Sequence, residues 1–113
     1  MMLGLEQPNS VNESLQPGVV RVEKDLEQLV KRFLKRQEGD LLRMQKALSE
    51  GDLVTIKKLG HDLKGAGEVF GFPELSVFGA KFEIAARDGD TEMLAGHLAS
   101  MERYLKRLQL RFE

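Results

Sequence analysis

From Val22 onward, apolar residues recur every three or four positions in one-sided stripes. Val22, Leu26, Leu29, Val30 and Phe33 form the first stripe, and Leu41, Met44 and Leu48 the second. Leu53, Ile56, Leu63 and Phe70 form the third, with Gly60 and Gly67 at its missing places. Leu75, Phe78, Phe82 and Ala85 follow, then Leu94, Leu98, Met101, Leu105 and Leu108. The breaks between stripes carry helix punctuation. Gly39-Asp40, Gly51-Asp52 and Gly89-Asp90 each pair a residue suited to ending a helix with one suited to capping the next, and Gly71-Phe72-Pro73 puts proline at a first helical position. This pattern predicts helical segments near 20–38, 40–50, 52–70, 73–88 and 90–111, the first two alternatively forming one helix bent at Gly39. No stretch alternates with a period of two and β-branched residues are few, so strands are not expected. One-sided stripes at helical spacing pack as an antiparallel bundle.

Composition narrows the function without naming it. A chain of 113 residues with 42% hydrophobic residues is one domain with a packed core. Seventeen basic against 18 acidic side chains leave a net charge of −1, which argues against a general nucleic-acid binder. The absence of cysteine removes disulfides, thiol chemistry and sulfur-based zinc sites, and two histidines, His61 and His97, argue against an all-histidine metal site. No apolar run reaches the roughly 20 residues of a membrane span, and Met1–Glu6 lacks a signal pattern, so a cytoplasmic protein is expected. Residues 1–20 hold Pro8 and Pro17, two acids and no base, and read as a loosely structured arm before a bundle over 21–113. The phenylalanines, the methionines and Tyr104 read as core, and His97, flanking the last stripe, as structural.

Chemistry concentrates in His61-Asp62-Leu63-Lys64-Gly65-Ala66-Gly67-Glu68-Val69-Phe70-Gly71-Phe72-Pro73. With Leu53, Ile56, Leu63 and Phe70 turned inward, His61 lies about 160° from Leu63, on the solvent side. Lys57 and Lys58 precede it by one turn, and Lys64, Gly65 and Glu68 follow on the same side. Each glycine inside a helix costs about 1 kcal/mol relative to alanine. Gly60 and Gly67 are explained by close helix packing; Gly65 faces outward, and what it supplies is open space beside the imidazole. The next segment carries Ser76, Ala80, Glu83 and Arg87 as a stripe beside its buried face. If that stripe borders His61, Glu83 can accept the Nδ1–H and leave Nε2 as a free nucleophile. Arg87 and Lys64 are then cations for phosphoryl oxygens.

A neutral imidazole, ordinarily titrating near 6.5, is a competent phosphoryl acceptor. Phosphoryl transfer needs positioning, in-line access and neutralisation of spreading charge. The chain has no glycine-rich nucleotide loop, so the phosphoryl group is expected to come from another protein and go to a third.

At these residues the sequence resembles the histidine-containing phosphotransfer domains of bacterial phosphorelays. His61, Leu63, Lys64, Gly65 and Phe70-Gly71-Phe72 match the family motif, supported by Ala47-Leu48, Gly51-Asp52, Leu75-Ser76, Glu83 and Ala85-Ala86 over roughly residues 22–110. The resemblance implies an all-α, up-and-down four-helix bundle with a short additional N-terminal helical element, and His61 as the phosphoacceptor. It places the family's exposed lysine at Lys64, its open-surface glycine at Gly65, and at Glu83 the amide that in some members bonds the imidazole. The implied partners are response-regulator receiver domains and a hybrid sensor histidine kinase, with no nucleic acid and no membrane. The protein would act as a monomer without a cofactor of its own, magnesium belonging to the receiver. Docking is expected on the exposed faces of segments 40–50, 52–70 and 73–88 around His61, including Lys57, Lys58, Gly65, Glu68, Ser76 and Ala80. Two rivals compete: a histidine-kinase dimerisation helix, which would continue with a small polar residue and proline where this chain has Gly65-Ala66, and a non-catalytic helical adaptor.

Overall fold

The computed structural model describes residues 19–113. The chain runs through strand β1 (Val19–Val22), a 3₁₀ turn (Lys24–Leu26), helices α1 (Glu27–Ser49), α2 (Leu53–Phe70), α3 (Pro73–Arg87) and α4 (Thr91–Arg107), and strand β2 (Gln109–Phe112). The four helices form the expected bundle. Of the arm expected over 1–20, residues 1–18 lie outside the described residues, and Val19 and Val20 belong to β1.

The turns follow the capping logic in three places. Asp52 accepts the Thr55 N–H at 3.1 Å and Asp90 the Met93 N–H at 3.0 Å, each beginning a helix. Gly71 ends α2 in the left-handed conformation at φ 82°, and Pro73 opens α3. Gly39-Asp40 does not punctuate anything. The buried stripe runs on through Val30, Phe33, Gln37, Leu41, Met44 and Ala47, apolar at every place but Gln37, and burying it outweighs one glycine's helix cost, so α1 is continuous. Asp40 instead pairs along the helix with Arg43 at 3.0 Å and Arg36 at 3.8 Å.

The expectation of no strands is corrected. Val19–Val22 and Gln109–Phe112 pair in parallel, Val19 opposite Gln109 and Val22 opposite Phe112. Val20, Val22, Leu110 and Phe112 turn toward the core while Arg21 and Arg111 face out. The last helix therefore ends at Arg107 rather than 111, and Leu108 adopts an extended backbone that starts the strand. Lys31 lies over the Phe112 ring, 5.6 Å from its centroid, tying the strand pair to α1.

The interior holds Val30, Met44, Ile56, Leu75, Phe82, Leu94 and Met101, all fully buried. Phe72, in the turn between α2 and α3, is also fully buried and tilts against Phe33, which stacks on Phe70 at 4.5 Å between centroids. His97 is half-buried with its ring edge-on to Phe82, and burial holds its pKa below the ordinary 6.5.

Helices α2 and α3 pack backbone to backbone. A Cβ on Gly60 would sit 2.8 Å from the Gly79 carbonyl oxygen and from Phe82 Cβ. One on Gly79 would collide with the backbone of Lys64 and Gly60, where no flexible side chain can yield. Gly79→Ala is therefore expected to lower the unfolding free energy by about 1–3 kcal/mol. Gly39, exposed in α1 with nothing within 4 Å, is the control: Gly39→Ala should raise it by about 0.5–1 kcal/mol. Urea denaturation of the two variants measures both, and equal effects would contradict the packing argument.

Candidate functional site

The close contact of α2 and α3 sets the outer edges of the two helices side by side. His61 stands on α2, its side chain 66% exposed, and Glu83 stands opposite on α3, half-buried. His61 Nδ1 and Glu83 Oε2 are 3.2 Å apart. A carboxylate has no proton to give, so the ring's Nδ1–H donates and the neutral ring keeps its lone pair on Nε2. The other carboxylate oxygen, Oε1, is 3.2 Å from Lys64 Nζ. Glu83 thus bridges the ring and the ammonium group.

Lys64 is held at its backbone as well. The Ser76 hydroxyl donates to the Lys64 carbonyl at 2.8 Å, adding a link between the helices. Gly79 brings α3 against the Lys64 backbone, within reach of this bond, and Ala80 beside it is half-buried. Gly65 is exposed, and a Cβ there would meet nothing within 4 Å.

The remaining candidates divide. Lys57 and Lys58 are exposed one turn before His61, Lys58 pairing with Asp62 at 3.2 Å. Glu68 is exposed further along α2, with no partner among the described residues. Arg87 is not gathered at the imidazole: its Nε bonds the neighbouring Asp88 carboxylate at 3.1 Å, and the side chain is 61% exposed.

One feature beside the site went unread in the sequence. A groove of about 400 Å³ lies between α1 and α2, lined by Leu29, Arg32, Phe33, Gln37, Leu63 and Phe70 among others, and reaching Asp62 next to His61. Gln37, 4% exposed, occupies a core position of α1. The signal was present as a polar residue four places after Phe33 on the apolar stripe. No three metal-ligating side chains cluster among the described residues, and no described helix is long and apolar enough to cross a membrane.

A family model, that of the Hpt domain, matches residues 28–111, most of the chain. The chain belongs to the Hpt domain family. Comparison with curated proteins and with solved structures found no match. Membership gives the Hpt domain a general role in phosphorelay signalling, as a phosphocarrier rather than a kinase, in a family that interacts with receiver and histidine-kinase domains.

The Lys64 ammonium, hydrogen-bonded to Glu83, holds that carboxyl below its ordinary 4.5; desolvation opposes this, and the His61 hydrogen bond adds a smaller lowering. The group therefore binds protons more weakly in the folded protein than in the unfolded chain. Its contribution to stability is present above about pH 4.5 and is lost as pH falls through the folded value. A carbon-13 NMR titration of the side-chain carboxyl should place the Glu83 midpoint below that of an ordinary glutamate, and Lys64→Met should move it upward. An unmoved midpoint would show that the ion pair does not form in solution.

Proposed function

We propose that the protein is a phosphorelay intermediate in which His61 accepts a phosphoryl group from a receiver-domain aspartate, or from a kinase, and passes it to the aspartate of another receiver. The observation that carries this reading is an exposed imidazole whose Nδ1–H is engaged by Glu83, with open space at Gly65 on the side from which a partner approaches.

The step needs little from this chain beyond that arrangement. The Nε2 lone pair attacks phosphorus in line with the bond to the aspartyl oxygen. The N–P bond forms, the P–O bond breaks, and its electron pair leaves with the aspartate carboxylate. The ring becomes a cation with its proton still on Nδ1, where the Glu83 carboxylate faces it. The acyl phosphate's two negative charges become one on the released carboxylate and a net one on the phosphohistidine. Onward transfer is the same step in reverse on a second receiver. Lys64 neutralises the phosphoryl oxygens, and Arg87 joins it on exchanging Asp88 for the incoming group. The magnesium ion that assists the aspartyl chemistry belongs to the receiver.

Docking uses the exposed surface around His61. Lys57, Lys58 and Lys64 attract an acidic receiver edge and speed encounter. Glu68, Ser76 and Ala80 lie along the same outer edges of α2 and α3, and the protein acts as a cytoplasmic monomer.

The test is incubation with a phosphorylated receiver domain and assay for acid-labile, alkali-stable phosphate. The wild type should become labelled. His61→Gln should keep its helical circular dichroism and take no label; retained labelling would falsify the assignment. Gly65→Gln replaces a glycine in an exposed helical position and should fold at least as stably. It should nonetheless slow transfer by about tenfold, the cost of roughly 1.4 kcal/mol in the transition state. Transfer at the wild-type rate would show that the open space has no part in the reaction.

A further inference from the structure

A carboxylate beside a phosphoacceptor poses an electrostatic problem: it should repel the group being transferred. The contacts of Glu83 offer a way round it. In the resting protein the carboxylate has two partners, His61 Nδ1 through Oε2 and Lys64 Nζ through Oε1, both at 3.2 Å. The ring is neutral when it donates from Nδ1 with Nε2 unprotonated, so Lys64 carries the full positive charge that balances Glu83. The cation best placed to meet a phosphoryl group is therefore already engaged.

We propose that Lys64 changes partner when His61 is phosphorylated, and that Glu83 is the counter-ion that makes the exchange possible. This inference rests on the phosphocarrier reading of His61. When Nε2 bonds phosphorus the ring acquires a positive charge and keeps the proton on Nδ1. Glu83 then faces a cation directly across its existing hydrogen bond and no longer needs the lysine. The phosphoryl group, bearing two negative charges at the opposite edge of the ring, draws the released ammonium. Two ion pairs stand where there was one, and no proton moves.

The geometry favours this exchange. Lys64 lies three residues after His61, on the same face of α2. Its backbone carbonyl is fixed by the Ser76 hydroxyl at 2.8 Å, so the anchor stays in place. Its side chain is 45% exposed, so the ammonium can swing without breaking core contacts. The ion pair it leaves is correspondingly weak, because solvent screens it. The carboxylate sits on the Nδ1 edge, away from the nucleophilic nitrogen. It acts as a positioning residue whose charge matters most in the phosphorylated state. A neutral amide would hold the same tautomer but could not balance the charged ring.

The test uses the whole chain, labelled with carbon-13 and nitrogen-15 and phosphorylated with phosphoramidate. Phosphorus-31 NMR reports phosphohistidine at His61, and the side-chain Cε and Nζ signals of Lys64, assigned with Lys64→Arg, report its partner. In the resting wild type the Lys64 signals should differ from those of freely exposed lysines, and Glu83→Gln should collapse that difference. On phosphorylation the wild-type Lys64 signals should shift to a new position that Glu83→Gln also reaches when phosphorylated. At equilibrium with a phosphorylated receiver, Lys64→Met and Glu83→Gln should each lower the phospho-His61 to His61 ratio by about five- to tenfold, with Lys64→Arg close to wild type. A higher ratio in Glu83→Gln would mean that the carboxylate only repels the phosphoryl group and would overturn the exchange. So would phosphohistidine at His61 with the Lys64 signals unmoved. Absence of any phosphohistidine at His61 would overturn the phosphocarrier reading and the exchange with it.

Discussion

The site depends on one contact: α2 and α3 touch through their backbones. Gly60 and Gly79 leave no side chain between them, and a Cβ on either would meet main-chain atoms of the facing helix. A bundle separated by ordinary side chains keeps its helix axes some 8–10 Å apart. Closing that distance brings Glu83 across to His61 and Lys64, and lets the Ser76 hydroxyl reach the Lys64 carbonyl. The glycines cost helix propensity in isolation. What they provide is register, and register is what turns four scattered polar residues into a cluster.

That cluster is built on rigid elements rather than on a loop. His61 and Lys64 sit in the interior of α2, one face of which is pinned by Ile56, Leu59 and Leu63 in the core. Glu83 follows the fully buried Phe82 on α3, so the core that fixes Phe82 also aims the carboxylate. The imidazole projects outward, held at Nδ1 by Glu83. Placing the reactive group outward on a fixed backbone suits the proposed exchange with two receivers in turn, since neither encounter would require the carrier to rearrange its fold.

Much of this was legible in the sequence because it follows from helical period. The outward placement of His61, the inward placement of Gly60 and Gly67, and the caps at Asp52 and Asp90 are local properties of spacing and residue type. The exceptions have physical causes. Gly39-Asp40 copies the punctuation of the true turns, but the apolar stripe continues past it, and tertiary burial overrides the local signal. The two strands are four residues each and join the first and last described segments, far apart in sequence, so no local period announces them; pairing exists only once α4 has returned the chain to α1. Phe72, read as core from its residue type, belongs to no stripe and is buried from a turn. At the site, the stripe holding Glu83 was visible, whereas its simultaneous grip on Lys64 depends on how far α3 is slid along α2. Arg87, read as a second cation for phosphoryl oxygens, bonds the adjacent Asp88 carboxylate here, a neighbour that helical spacing does not weigh.

The claim beneath all of this is that Nε2 of His61 is the atom that carries the phosphoryl group. Nitrogen-15 and phosphorus-31 NMR of the imidazole-labelled protein, after transfer from a phosphorylated receiver domain, addresses it most directly. Scalar coupling between phosphorus and Nε2, with Nδ1 still protonated, is the predicted result. Phosphorus bonded to Nδ1 or to His97, or no phosphorus–nitrogen coupling at all, would contradict it.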